Sequence, residues 1–137
     1  MKTNRTPLII VSSLLALMLC QSCHKDLRQR AAEEARQYTE KYCPTPVDNY
    51  VRTDSTVFDL QTDEYIYYCT LTGPIDSHEF VDFHRAELVE GLRQAIRQSI
   101  PLQRYKQSGF TFRYVCRSEA APDTILMDER IHQKDYQ

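Results

Sequence analysis

The chain has 137 residues, with 17 basic and 19 acidic side chains and a formal net charge of −2. That length allows one domain, and the slight acidic excess argues against a nucleic-acid partner, which calls for a basic surplus. Three isolated glycines (Gly73, Gly91, Gly109) exclude a glycine-rich phosphate loop.

The first 22 residues read as an export signal. Lys2 and Arg5 give a positive start, and Leu8 to Leu19 is an apolar run of 12 residues. A membrane-spanning helix needs about 20 such residues, whereas a signal core needs fewer. Small Ser22 precedes Cys23, which predicts cleavage between them; bulky Leu19 before Cys20 suits a peptidase poorly. Leu19-Cys20-Gln21-Ser22-Cys23 resembles a bacterial lipoprotein signal, in which that cysteine is acylated, although Cys20 stands where leucine is usual. His24-Lys25-Asp26 is similar to the tag that sends some Bacteroidota lipoproteins to the outer membrane surface, with fewer acidic residues. The resemblance implies an outer membrane lipoprotein on the periplasmic or surface-exposed face, held by acyl chains on Cys23. Removing 22 residues leaves 115, and it lowers the basic count to 15 against 19 acidic, a net charge of −4. The expected organisation is a signal peptide at 1–22, a lipid-anchored helix at 23–48 and a sheet domain at 49–137, the last two packing as one unit.

Leu27, Ala31, Ala35, Tyr38 and Tyr42 recur at helical spacing, predicting an amphipathic helix over 26–43 that Pro44 and Pro46 terminate. Tyr50 to Leu60 is β-branched and aromatic enough for a strand, and Gln61-Thr62-Asp63 makes a turn. From Glu64 to Thr72 the residues alternate: Tyr65, Tyr67, Cys69 and Leu71 share one face of a second strand. Gly73-Pro74 breaks it. A helix follows, with Asp76 as expected cap and Glu79 completing a capping box. Its buried stripe is Val81, Leu88, Leu92, Ala95 and Ile96. Arg85, Arg93 and Arg97 occupy another face, where pairing with Glu87 and Glu90 is favoured over an anionic ligand. Phe110, Phe112, Tyr114 and Cys116 mark one face of a third strand, opposite Thr111, Arg113, Val115 and Arg117; Thr124 to Ile131 is the fourth.

The order helix-strand-strand-helix-strand-strand predicts an α+β fold, an antiparallel sheet with helices packed on one face. Cystatin-like sheets are an analogy of architecture that carries no function. Cys43-Pro44, Asp54-Ser55, Tyr67-Tyr68-Cys69-Thr70-Leu71 and Phe112-Arg113-Tyr114 give the chain its resemblance to small Bacteroidota envelope proteins of unassigned function. These are strand signatures and imply no chemistry.

Cys43, Cys69 and Cys116 remain once Cys20 and Cys23 are set aside. Cys69 and Cys116 fall on alternating apolar faces. If their strands adjoin, a bridge closing 48 residues would add about 4 kcal/mol in the loop-entropy account; two buried thiols are the alternative. His78 and Asp82 lie one helical turn apart, a faint echo of the zinc motif H-E-x-x-H without its second histidine or a third ligand, so neither metal nor cofactor is expected. Outward Arg113 and Arg117 are the candidate contact surface. The expected function is a lipid-anchored envelope binding or structural module with a protein or polysaccharide partner. The competing class is a small envelope hydrolase or inhibitor-like factor, for which the sequence offers no catalytic constellation.

Overall fold

The computed structural model describes residues 26–137. The signal, Cys20, Cys23 and His24-Lys25 lie outside the described residues.

Helix α1 (Leu27–Tyr42) starts where the Asp26 carboxylate accepts from the Arg28 amide at 3.2 Å. It buries Ala31 and Ala35 and leaves Tyr38 and Tyr42 exposed. Strands β1 (Val51–Asp59) and β2 (Glu64–Leu71) form a hairpin. A short 3-10 turn at Gly73–Ile75, then α2 (His78–Gln98) and α3 (Gln103–Gln107), carry the chain to β3 (Thr111–Ser118). Strand β4 (Ile125–Ile131) and a terminal turn of helix, α4 (Gln133–Tyr136), complete it.

The four strands lie in the order β1-β2-β3-β4. The element order is the expected one, but the sheet is mixed: the outer pairs are antiparallel and the central β2–β3 pair is parallel. The expectation of a wholly antiparallel sheet is corrected by what joins those strands. A parallel neighbour requires a crossover of a dozen or more residues, and α2 with α3 supplies it. The cap of α2 also differs. Ser77 Oγ accepts from the Phe80 amide at 3.1 Å, while Asp76 accepts from the Ala120 amide at 2.9 Å and ties the 3-10 turn to the β3–β4 connection.

Two bulges set which side chains face the helices. Between Thr53 and Ser55 the register against β2 slips, so Asp54 has no partner and the alternation of β1 inverts there. A second slip on β4 leaves Leu126 as the extra residue. The helix-facing side of the sheet therefore carries Phe58, Tyr65, Cys69, Leu71, Phe112, Cys116, Met127 and Ile131, all buried. They form two adjoining apolar clusters. One, around Phe58, Tyr65, Phe112 and Ile131, is covered by Ala31 and Ala35 of α1, Ile96 of α2, Tyr105 of α3 and Tyr136 of α4. The other gathers Cys69, Leu71, Cys116, Leu126 and Met127 under Val81. Tyr136 donates its hydroxyl to the Phe110 carbonyl at 2.7 Å, so the terminal helix closes the end of the first cluster. The expected stripe of α2 holds at Val81 and Ile96, with Leu88 and Leu92 half-buried; Ala95 is exposed and Val89 packs in its stead.

Candidate functional site

The outer face of the sheet is occupied by charge. Glu64 on β2 sits beside Arg130 at 2.6 Å and Arg113 at 3.6 Å. Arg113 holds Asp128 through two bonds, at 2.8 and 2.6 Å. Nearer the other end, Arg52 donates to Asp54 at 2.7 Å, and the Thr70 hydroxyl donates to the second Asp54 oxygen at 2.6 Å. The bulge thus turns Asp54 toward a basic partner. Arg113, a candidate for an intermolecular contact, is committed to two carboxylates of its own sheet. Arg117 is exposed and donates to the Pro122 carbonyl at 3.4 Å.

The fork from Arg113 holds the Asp128 carboxyl below the ordinary aspartate value of 3.8. A carboxylate whose folded value is depressed adds stability that is present above its unfolded value and disappears as pH falls through the folded one. The stability difference between the native chain and Arg113→Gln is therefore expected to be steady at neutral pH and to shrink below about pH 4. Urea titrations from pH 7 to pH 3 measure it; a gap that widens in acid would contradict the assignment.

The remaining sequence candidates are dispersed. His78 opens α2 and is exposed, and Asp82 is engaged by Arg85 at 3.0 Å. Among the described residues no group of three or more His, Cys, Asp or Glu side chains could hold a metal ion. His84 packs its ring against Phe80 and Phe83, centroids 4.3 and 4.9 Å away, with Glu87 at 3.5 Å. His132 caps α4 and contacts Thr111 at 3.3 Å. The arginines of α2 mostly turn to acidic groups: Arg85 to Asp82 and Glu129, Arg93 to Glu90 and Asp135, Arg97 to Glu90 and the Asp135 carbonyl. Glu87 pairs with His84, so the expected arginine pairing holds at Glu90.

Concave surface occurs on the helix side. An apolar cleft of about 190 Å³ opens between α2 and the sheet, beside the second cluster. Val51, Leu71, Leu88, Leu92 and Met127 wall it; Cys69, Tyr114 and Cys116 are on its sheet side. Phe80 belongs both to this cleft and to a shallower recess formed with Pro74, Glu79, Phe83 and His84. Phe83 stands there 84% exposed. Phe83 lines that recess and not the cleft, on the side of α2 away from Val81 and Leu92. Its signal in the sequence is an apolar residue off the buried stripe of an otherwise charged helix, which the stripe itself does not include. A second hollow, about 350 Å³, lies between α1 and α3 and is lined by Tyr38, Tyr65, Tyr67, Tyr105 and Glu34. Tyr105 donates its hydroxyl to Glu34, and burial foremost pushes its ionisation up.

This combination of a four-stranded mixed sheet, one covered face and a cleft beside the crossover helix has the fold of two solved bacterial structures. A "putative secreted protein" from Pseudomonas aeruginosa superposes with a TM-score of 0.69 at 9% identity, covering 82% of this chain and 94% of that one. The type 2 secretion system pilotin EpsS from Vibrio vulnificus gives 0.62 at 11% identity, with the same coverages. At such identities the likeness is one of fold. By sequence, residues 26–127 match the family described as "Domain of unknown function (DUF8479)", and the chain belongs to that family. No curated protein matches it.

Proposed function

We propose that this chain is a binding module of the bacterial cell envelope, held at the outer membrane through a lipid on Cys23, that receives an apolar segment of a protein partner. The observation that carries the reading is the apolar cleft between α2 and the sheet, with Phe80 shared between it and the recess that holds exposed Phe83. The partner segment is apolar with basic residues beside it, because exposed Glu79 and Glu87 flank the aromatic patch. Location draws support from the signal-like leader and from the fold shared with a secreted protein and a secretion-system pilotin. No helix among the described residues is long and apolar enough to cross a membrane.

A photoreactive side chain placed at position 83 of the full chain tests this in cells. Crosslinking to one discrete protein is expected from position 83, weakened by Glu79→Lys with Glu87→Lys, and absent from position 111 on the opposite sheet face. The same probe in Cys23→Ala should be found in the soluble fraction. Phe83→Ser should abolish capture of the crosslinked partner while changing stability by no more than about 0.5 kcal/mol, as surface substitutions do. Equal crosslinking from positions 83 and 111 would defeat the proposal.

A further inference from the structure

The three described cysteines are free thiols, and two of them are placed for pairing. Cys69 and Cys116 are direct partners in the register of the parallel β2–β3 pair. Adjacent strands lie about 4.8 Å apart, inside the 4.4–6.8 Å range of Cα separations that a disulfide spans. Both side chains leave the sheet on the helix-facing side, and both line the apolar cleft.

We propose that Cys69 and Cys116 form a disulfide across the central strand pair, made by exchange with a disulfide-bearing oxidant, and that Cys43 is left as the free thiol. In this exchange Cys69 is the attacking thiolate. It bonds to one sulfur of the oxidant's disulfide, and the other sulfur departs, taking a proton. Cys116 sulfur then displaces the oxidant from Cys69, the Cys69–Cys116 bond closes, and the Cys116 proton goes to the second departing thiolate. Two protein thiols are oxidised and one external disulfide is reduced to two thiols. Cys43 stands outside this exchange. It is half-buried at the end of α1, does not line the cleft, and burial foremost pushes its thiol up, keeping it protonated. The chemistry is independent of which partner the cleft receives.

The test uses the purified chain, first reduced and then equilibrated with oxidised glutathione. Thiols are alkylated in denaturant, and peptides are mapped without reduction. A mass loss of two hydrogens is expected, with a crosslinked peptide joining Cys69 to Cys116 and Cys43 alkylated. Cys43→Ser should behave as the native chain. Cys116→Ser should stop at a glutathione adduct on Cys69 or remain reduced, and Cys69→Ser should form no internal bridge. Reduction should lower the melting temperature of the native chain and leave that of either single variant in place. Alkylation of both Cys69 and Cys116 after oxidation, or a bridge containing Cys43, overturns the proposal.

Discussion

Phe112→Ala is expected to lower the melting temperature by roughly 12–20 °C, from a loss of about 3–5 kcal/mol at about 4 °C per kcal/mol for a domain of this size. Phe112 is fully buried, at 0% exposure, on one of the two central strands. Its ring meets Tyr65 at 6.4 Å and Tyr136 at 5.6 Å between centroids, the latter edge-on. Those neighbours belong to β2 and α4, so the ring joins two strands to the terminal helix. Truncation leaves a void that rigid tyrosines cannot readily fill, because Tyr136 is held by its bond to the Phe110 carbonyl. Thermal unfolding followed by circular dichroism reads the shift. A fall under about 4 °C, equivalent to about 1 kcal/mol, would mean that the cluster repacks and that Phe112 is not its centre.

What the sequence discloses and withholds follows from what a periodic pattern encodes. A period of two marks a strand and its faces, so alternation alone assigns Tyr65, Cys69 and Leu71 to one face of β2, and Phe112 and Cys116 to one face of β3. It is blind to whether neighbouring strands run parallel, since both pairings have the same alternation. The β2–β3 pairing is therefore legible only through the length of the crossover. Bulges hide faces in a different way. Asp54 inverts the alternation of β1, and the irregular pattern of Arg52-Thr53-Asp54-Ser55-Thr56 is the result. The cap of α2 falls one residue later than expected because Asp76 and Ser77 are both good cap residues. Asp76 is taken by the Ala120 amide, 44 positions away, and no local rule can anticipate that.

The same limits govern the candidate site. Arg113 is an outward residue by alternation, which makes it a candidate for contact; its partners Asp128 and Glu64 lie on two other strands and are identified only by the strand order. The cleft arises because all four helices cover the first cluster, while only α2 and Ile75 of the 3-10 turn cover the second, a matter of helix placement that sequence patterning does not specify. Cys69 and Cys116 are legible as residues of apolar strand faces. Their direct register, which turns two core thiols into a pair, is not.

Ala35→Asp should cost about 3–5 kcal/mol and detach α1 from the sheet, since a carboxylate there must either take up a proton or force the helix away. Ala35 is at 0% exposure, and its own carbonyl accepts the Thr56 hydroxyl at 2.9 Å. One turn on, Thr39 Oγ1 accepts from the Thr56 amide at 2.7 Å. Small side chains at 31 and 35 let the helix backbone approach β1 closely enough for these bonds, so the helix is clamped to the strand by polar contacts behind an alanine seam. The substitution separates two ideas about residues 26–43. If the helix is integral to the domain, amide exchange should rise in α1 and β1 together, and melting should fall steeply. If it is a detachable stalk leading from the membrane anchor, exchange should rise in α1 alone and melting should hardly move. The shared burial of Ala31 and Ala35 with Phe58 and Ile96 favours the first result.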